Sequence, residues 1–326
     1  MRALVTGISG FVGGHLTEHL IAHGDAVVGI SASGRWPRDL EHLARDARIE
    51  PFNLIEGTEA DLADLIKRKQ PEVIYHLAAW SNPQKSMADP RGAWALNLGG
   101  SLNLLEAVRV SGLKPRVVLV GTGVSYGNPG PEWLPVTEDC PVRPNNPYAA
   151  SKAAVDLLGI QHFLAHRTNV VMVRPFNHAG PRQSPTYALA GWAHQIALLE
   201  TGRGERLEVG NLEVTRDFTD VRDVVRGYRM LAEGGEPGEI YNLGSGLGVR
   251  LAWALEYLCS LANIPITAHV DPARVRPVDQ PLLVADASKL KAAVGWTPRF
   301  TIEQTLAEML EDARKTIARE GAPHAV

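Results

Sequence analysis

The stretch VTGISGFVGGHL, residues 5–16, constrains the fold more than any other part of the sequence. It follows an apolar, β-branched run, and Gly7, Gly10 and Gly13 lie three residues apart before a segment with helical periodicity. Glycines at such a junction permit a tight turn and a close backbone approach to a pyrophosphate, whose charge a helix N-terminus stabilises. A glycine-rich turn alone is weak evidence, but its position after the first strand predicts a dinucleotide-binding site.

Apolar runs without polar alternation recur through the first half of the chain and predict strands buried on both faces of a parallel sheet. These runs are RALVTG, AVVGIS, EVIYHLAA, RVVLVGTG and NVVMVRPFN, with helical segments between them. Repeated strand–helix units predict an α/β fold with a doubly wound parallel sheet, the Rossmann arrangement. We expect residues 1–175 to form this dinucleotide-binding domain, with residues 217–245 returning to it. We expect residues 176–216 and 246–326, where Gly, Pro and Arg are frequent, to form a smaller C-terminal α/β substrate-binding lobe.

Charge and cysteine content restrict the class of protein. The formal net charge of −3 provides no basic field, which argues against nucleic acid or a membrane surface as partners. Cys140 and Cys259 form no C-x-x-C pair, which is typical of a reducing compartment. The N-terminus begins at once with a strand-like run and lacks a signal-peptide pattern, so we expect a cytoplasmic protein.

Three histidines in the first helical segment resemble a zinc motif. His15, His19 and His23 are four residues apart, and HLTEH matches an H-x-x-E-H pattern. Leu16 and Leu20 should face the sheet, which leaves the histidines near the rim of the helix. We therefore expect no metal site.

The end of the second predicted strand indicates which dinucleotide binds. An acidic residue there bonds the ribose 2′-hydroxyl of NAD, whereas an arginine accommodates the 2′-phosphate of NADP. In VVGISASGRW, Ser31 stands at the strand end, Arg35 is close by, and no acid occurs before Asp39. This pattern favours NADP(H). The alternative is that Arg35 points into solvent and the enzyme accepts either NADP(H) or NAD(H).

Two segments suggest the chemistry. In NPYAASKAAV, Tyr148 and Lys152 lie one turn apart on one helix face, and RVVLVGTGVSYG ends a central strand at Thr122. Tyr148 and Lys152 alone could be an exposed pair. With all of these segments the chain resembles the extended short-chain dehydrogenase/reductases, the superfamily of sugar-nucleotide epimerases, dehydratases and reductases. The resemblance implies that Thr122, Tyr148 and Lys152 are the catalytic triad.

The triad has a physical rationale. A nearby ammonium should lower the pKa of the tyrosine, which can then exchange a proton with a carbonyl or hydroxyl oxygen during hydride transfer. The predicted cofactor-binding residues are Gly7, Ser9, Gly10, Phe11, Val12, Gly13, Ser31, Arg35, Asn53, Leu54, Leu77, Ala78, Ala79, Tyr148, Lys152 and Pro175.

Later segments resemble one branch of the superfamily. RPFNHAGPRQSP, VGNLEVTRDFTDVRD and RVRPVDQPLLVADASKLKAAVGWTP are similar to GDP-mannose 4,6-dehydratases and, more closely, to GDP-4-keto-6-deoxymannose reductases. The resemblance implies that Asn177 contacts the sugar or its phosphate and that Arg216 and Arg276 bind the pyrophosphate of a GDP-sugar. Alternatively, Asn177 is a turn residue, Arg216 pairs with Asp217 or Asp220, and Arg276 is a surface charge.

One position departs from the pattern. Similar dehydratases carry a glutamate that handles the C5 proton where this chain has Val124, and reductases can also carry an acid there. Valine cannot transfer a proton, so we predict NADPH-dependent reduction of the C4 ketone of a GDP-4-keto-6-deoxyhexose, giving GDP-D-rhamnose or its 4-epimer. The alternatives are a GDP-mannose 4,6-dehydratase, a sugar-nucleotide 4-epimerase or a catalytically idle dinucleotide-binding regulator. Surplus apolar residues in the helices predicted at 93–111 and 149–166 favour a homodimer, as in similar enzymes, over a monomer.

Overall fold

A parallel sheet of seven strands is the centre of the larger domain in this computed structural model, which describes residues 1–274 and 280–321. Numbered along the chain and given in spatial order, its strands are β3 (Ala47–Pro51), β2 (Ala26–Ser31), β1 (Arg2–Thr6), β4 (Val73–His76), β5 (Arg116–Val120), β6 (Val170–Pro175) and β10 (Ile240–Leu243). Every neighbouring pair is parallel. The strand order reverses beside β1, which is the arrangement of a doubly wound dinucleotide-binding sheet and confirms the predicted fold class.

Helices cover both faces of this sheet. One face packs against α1 (Phe11–Ala22), α8 (Val221–Gly234) and α10 (Ser288–Val294), and the other against α2 (Glu59–Lys69), α5 (Gly100–Ser111) and α6 (Pro147–His166). The short helices α3 (Pro83–Ala88) and α4 (Pro90–Trp94) follow β4, and a π-helical turn at Ala95–Gly99 joins α4 to α5. Helices of the 3-10 type span Arg38–Arg45, Gly123–Tyr126, Pro131–Trp133 and Pro272–Arg274. The predicted helical segments of the first half are therefore present.

In the described residues, the smaller lobe contains two short sheets and three helices. Its first sheet contains β7 (Asn177–Ala179), β9 (Thr215–Asp220), β11 (Gly248–Arg250) and β13 (Leu282–Leu283), and its second pairs β8 (Leu207–Val209) with β12 (Ala268–Val270). Its helices are α7 (Ala188–Glu200), α9 (Leu251–Ser260) and α11 (Ile302–Gly321). Trp192, Ile196, Leu258 and Leu306 belong to the lobe's own hydrophobic core. Over the two described ranges, no helix is both long and apolar enough to span a bilayer.

The boundary between the two parts differs from the expected ranges at two places. Residues 217–220 belong to β9 and pair within the small sheet, so the chain returns to the larger domain at α8. Residues 288–294 form α10 and pack on the larger domain, where Leu290 and Trp296 enter its core. The Trp296 indole donates a hydrogen bond to the Asp223 carbonyl at 2.9 Å, which satisfies the polar group of this buried side chain.

Candidate active site

A cavity of about 1150 Å³ opens at the carboxyl ends of the central strands, where α/β sheets bind ligands. It brings together residues from the loops after β1, β2, β4, β5 and β6 and from the smaller lobe. The predicted site residues that line it are Gly7, Ser9, Gly10, Phe11, Val12, Gly13, Ser31, Asn53, Leu54, Leu77, Ala78, Ala79, Thr122, Tyr148, Lys152, Pro175, Asn177 and Arg216. Arg35 is exposed and does not line the cavity. Arg276 lies outside the described residues.

The glycine-rich turn has the close packing that a dinucleotide site requires. Gly7 has a φ of +71°, and a Cβ at this position would lie 2.8 Å from the Ala78 nitrogen. A Cβ on Gly13 would lie 2.3 Å from the Gly7 carbonyl oxygen. The first turn of α1 contains no acidic residue, and its N-cap Gly10 supplies no side-chain cap, so backbone N–H groups there suit a pyrophosphate. These residues fit a bound NAD(P).

The end of β2 forms a turn with two hydroxyl groups. Ser31 Oγ accepts a hydrogen bond from the Gly34 nitrogen at 3.1 Å, and Ser33 Oγ accepts one from the Arg35 nitrogen at 3.3 Å. Gly34 has a φ of +63°, which allows the chain to reverse here. Hydroxyls with an exposed guanidinium form a suitable environment for a 2′-phosphate.

The residues of the predicted triad are buried at one point of the cavity. Asn146 caps α6 by accepting a hydrogen bond from the Ala149 nitrogen at 2.9 Å, and this places Tyr148 in the first turn and Lys152 one turn later. Thr122 follows β5, and its side chain lies near enough to the Tyr148 phenol to lower the pKa of that group. The three side chains therefore come from two segments, the loop after β5 and the first two turns of α6, and line one cavity.

The electrostatics of the triad differ from the sequence-based expectation. Burial raises the pKa of Tyr148 to about 12, against the opposing effect of the neighbouring Thr122 side chain. Burial lowers the pKa of Lys152 to about 8, opposed by the charge of Asp156. Lys152 Nζ donates to the Val120 carbonyl at 2.5 Å. The cost of dehydrating the phenolate therefore outweighs the expected lowering of the tyrosine pKa.

The predicted substrate residues approach from the smaller lobe. Asn177 lies in β7 and Arg216 in β9, and Arg216 Nη1 donates to the Thr215 carbonyl at 2.9 Å. The two acids considered as alternative partners of Arg216 have other contacts. Asp217 accepts hydrogen bonds from Ser245, Gly246 and Ala285, while Asp220 forms a salt bridge with Arg222 at 2.7 Å.

Several lining residues were not predicted from the sequence. The hydroxyls of Ser81 and Tyr187 lie 2.9 Å apart and join the loop after β4 to the residue before α7. The Tyr187 phenol also contributes to the raised pKa of Tyr148, and both side chains line the cavity. The position of Ser81 just after a buried strand was a usable sequence signal. Tyr187, in contrast, has no local signal, because it reaches the site only through the fold of the smaller lobe.

The histidine row of α1 lies away from this cavity. His15, His19 and His23 line a second cavity of about 650 Å³ between α1 and α8. His15 is buried, its Nε2 lies 2.9 Å from the Pro181 carbonyl oxygen, and burial followed by the charge of Arg182 lowers its pKa to about 4. Among residues 1–274 and 280–321, no group of three or more His, Cys, Asp or Glu side chains could hold a metal ion.

Comparisons with known proteins agree with this geometry. The sequence model of the family GDP-mannose 4,6 dehydratase matches residues 4–309. The chain is 34% identical to the GDP-6-deoxy-D-mannose reductase of Pseudomonas aeruginosa, over 98% of this chain and 99% of that protein.

Solved structures show the same relationship. RMD from Pseudomonas aeruginosa complexed with NADPH has a TM-score of 0.84 and 32% identity, covering 97% of this chain and 100% of that one. The UDP-glucose 4-epimerase of Thermus thermophilus complexed with NAD has a TM-score of 0.85 and 29% identity, covering 96% and 99%. The chain therefore belongs to the GDP-mannose 4,6-dehydratase family of extended short-chain dehydrogenases/reductases, NAD(P)-dependent enzymes of sugar-nucleotide metabolism.

Proposed function

We propose that the enzyme uses NADPH to reduce the C4 ketone of GDP-4-keto-6-deoxy-D-mannose, giving GDP-D-rhamnose or its 4-epimer. The observation that carries this proposal is the charge of the cavity lining. Among the described residues that line the cavity there is no Asp or Glu, whereas Lys85, Lys152 and Arg216 are cationic. Such a lining suits two ligands that each carry a diphosphate, and the similarity to the Pseudomonas aeruginosa reductase supports the choice of substrate.

The residues of the site divide the work of reduction between them. When bound, NADPH supplies the hydride. Tyr148 gives its phenolic proton to the ketone oxygen, and the Thr122 hydroxyl, which lines the same cavity, fixes the position of that oxygen. The Lys152 ammonium stabilises the phenolate that remains, which then recovers a proton from water.

The same lining argues against dehydration. Elimination of water requires a base that removes the C5 proton, and Val124, half-buried in this cavity where similar dehydratases carry glutamate, cannot act as one. Ketone reduction needs no such base, because its only proton transfer runs through Tyr148.

Incubating the purified enzyme with NADPH and GDP-4-keto-6-deoxymannose tests the proposal. We expect loss of NADPH absorbance and formation of a 6-deoxyhexose whose C4 configuration NMR can assign. GDP-mannose with NADP and UDP-glucose with NAD serve as parallel substrates for dehydratase and epimerase activity, and both should remain unchanged. No NADPH consumption, or conversion of either parallel substrate, would contradict the proposal.

The proposed binding of the GDP pyrophosphate by Arg216 can be tested by mutation. Arg216→Ala should weaken GDP binding by about 1.5–3 kcal/mol, the usual worth of a charged hydrogen bond, without changing NADPH affinity. Arg35→Ala is the matched control, because it should weaken NADPH and leave GDP unaffected. Calorimetric titration of GDP, UDP and dTDP into each protein measures both effects. Equal affinities for the three diphosphates would exclude selection of guanine. Unchanged GDP binding by Arg216→Ala would show that Arg216 does not bind the pyrophosphate.

We also propose that two copies associate through α5 and α6. Leu102 on α5 is 45% exposed, and Leu157 and Leu164 on α6 are 67% and 62% exposed. These side chains form apolar surface that a two-fold partner would bury. Sedimentation should show a dimer at micromolar concentration and a monomer for Leu157→Glu. A monomeric wild-type protein would contradict the assembly.

The proposed location of the enzyme is the cytoplasm. Cys140 and Cys259 are both free thiols, as expected in a reducing compartment. Cell fractionation tests this, and recovery of the protein in an extracytoplasmic fraction would contradict it.

A further inference from the structure

A buried ion pair lies beneath the predicted triad. Asp156, one turn after Lys152 in α6, is 1% exposed, and Arg174 of β6 is 5% exposed. Arg174 Nε donates to Asp156 Oδ2 at 2.8 Å, and its Nη1 donates to the Tyr126 hydroxyl at 2.8 Å. Tyr126 in turn donates to Asn242 Oδ1 at 2.7 Å. The arginine is therefore held on two sides, and it fixes the orientation of the carboxylate.

The second oxygen of this carboxylate lies against the loop that follows β5. Asp156 Oδ1 is buried and has no hydrogen-bond partner among the residues that the structure describes. A Cβ on Gly121 would lie 2.6 Å from it, so this glycine leaves room for the carboxylate. Gly121 stands between Val120, whose carbonyl accepts the hydrogen bond of Lys152, and Thr122. The carboxylate thus contacts the segment that connects two members of the triad.

Stability alone does not explain this arrangement. Burying an ion pair costs desolvation that its mutual attraction often only balances, and an unpartnered carboxylate oxygen adds a further penalty. The arrangement does place a negative charge close to the Lys152 ammonium. That negative charge opposes the lowering of the Lys152 pKa by burial.

The other titratable groups around Lys152 do not supply a negative charge. His76 on β4 is fully buried and its pKa is lowered to about 3, so it is neutral at working pH. Burial raises the pKa of Tyr148 on α6, Tyr126 after β5 and Tyr228 on α8, so these phenols are neutral as well. Arg174 is positive. Burial also raises the pKa of Asp156, but the charge and hydrogen bond of Arg174 and the charge of Lys152 oppose this effect and favour the carboxylate. Within the described residues, Asp156 is therefore the acidic group whose charge acts on the lysine.

We propose that Asp156 is a positioning residue: its carboxylate, held by Arg174, stabilises the Lys152 ammonium and keeps it at the end of β5 beside Thr122 and Tyr148. Asp156 contacts neither substrate nor cofactor in this role. The inference rests on the proposed role of Lys152 in catalysis but not on the identity of the sugar.

NMR titration of the protein with lysine isotopically labelled at Cε tests the proposal directly. The chain has eight lysines, and the Lys152 resonance is the one lost in Lys152→Met. In the wild type this resonance should titrate with a midpoint near the pKa of about 8. In Asp156→Asn the midpoint should move down by roughly one pH unit, because loss of a nearby negative charge disfavours the ammonium.

Two further variants separate positioning from folding. Asp156→Leu combined with Arg174→Met removes both charges and keeps apolar volume, so no lone buried charge remains. Its midpoint should also lie below the wild-type value, but by less than in Asp156→Asn, because a positive charge is lost as well. Glu200→Gln is the matched control, because Glu200 also pairs with an arginine, Arg314, at 2.6 Å but belongs to the smaller lobe. It should leave the midpoint unchanged. A wild-type midpoint in either folded Asp156 variant overturns the proposal, as does failure of both variants to fold, which would assign the pair to folding.

Turnover distinguishes this inference from the proposed substrate. If the sugar assignment is right, the alkaline limb of kcat should move to lower pH in Asp156→Asn, in step with the NMR midpoint. A shifted midpoint without any reductase activity would contradict the substrate and leave the role of Asp156 supported. Reductase activity with an unshifted midpoint would support the substrate and contradict the role of Asp156.

Discussion

Replacing Tyr148 with phenylalanine should lower turnover by a factor of about 10²–10⁴ and leave the fold intact. The substitution removes the proton donor, while the ring, which is 9% exposed, keeps its packing at the start of α6. The ketone oxygen would then have to take its proton from a group that is not held in line by Thr122. Steady-state kinetics with NADPH, together with thermal unfolding, measures both parts of this expectation.

Tyr187→Phe is the matched control for that experiment. Its phenol lines the same cavity and is hydrogen-bonded to Ser81, but nothing in its position makes it a proton donor to the ketone. It should therefore retain most of the activity. Near-normal turnover in Tyr148→Phe would assign the proton transfer to Thr122 or to water. Equal losses of turnover in the two variants would contradict the role of Tyr148 as the proton donor.

The free energy of unfolding should fall as the pH is lowered from about 6.5 towards 4. Burial, followed by the charge of Lys152, lowers the pKa of His76 from 6.5 to about 3, and burial, followed by the charge of Arg182, lowers that of His15 to about 4. Between these values the unfolded chain binds protons that the folded protein excludes. Stability is thus fully present above the unfolded pKa and is lost as the pH falls, by about 1.4 kcal/mol per pH unit for each histidine.

At the acidic end of this range, the titration of carboxyl groups also changes the free energy of unfolding, in both directions. Burial raises the pKa values of Asp156, Asp217 and Glu138, which opposes the loss, so the informative quantity is the difference between two proteins. His76→Gln removes one titrating group while retaining polar atoms for Thr6 and Ser101, the partners of His76. Urea unfolding across this pH range should show that the free energy of unfolding falls less steeply with decreasing pH in the variant than in the wild type. The same pH dependence of the unfolding free energy in both proteins would contradict the role assigned to His76.

Local patterns in the sequence predicted much of the larger domain. The spacing of Gly7, Gly10 and Gly13 predicted the turn between β1 and α1, because each glycine meets a local steric requirement of that turn. The interval between Tyr148 and Lys152 predicted one helix face for both. The edge strand β3 was missed, since ARIEP alternates apolar and charged residues and only its pairing with β2 reveals it.

The contacts that complete the site depend on the tertiary structure. Arg174 meets Asp156 only because β6 lies beneath α6, and the Ser81–Tyr187 contact joins residues separated by 106 positions. The lack of acidic side chains in the described cavity lining is also a property of the fold, since acids are frequent in the sequence. The sequence by itself determined which segments become strands and helices and which residue types could carry the chemistry, because periodicity and glycine placement act over a few residues. Only the tertiary structure decided which charges meet Lys152 and which hydroxyls surround Tyr148, because crossovers and lobe packing bring distant segments within hydrogen-bond distance.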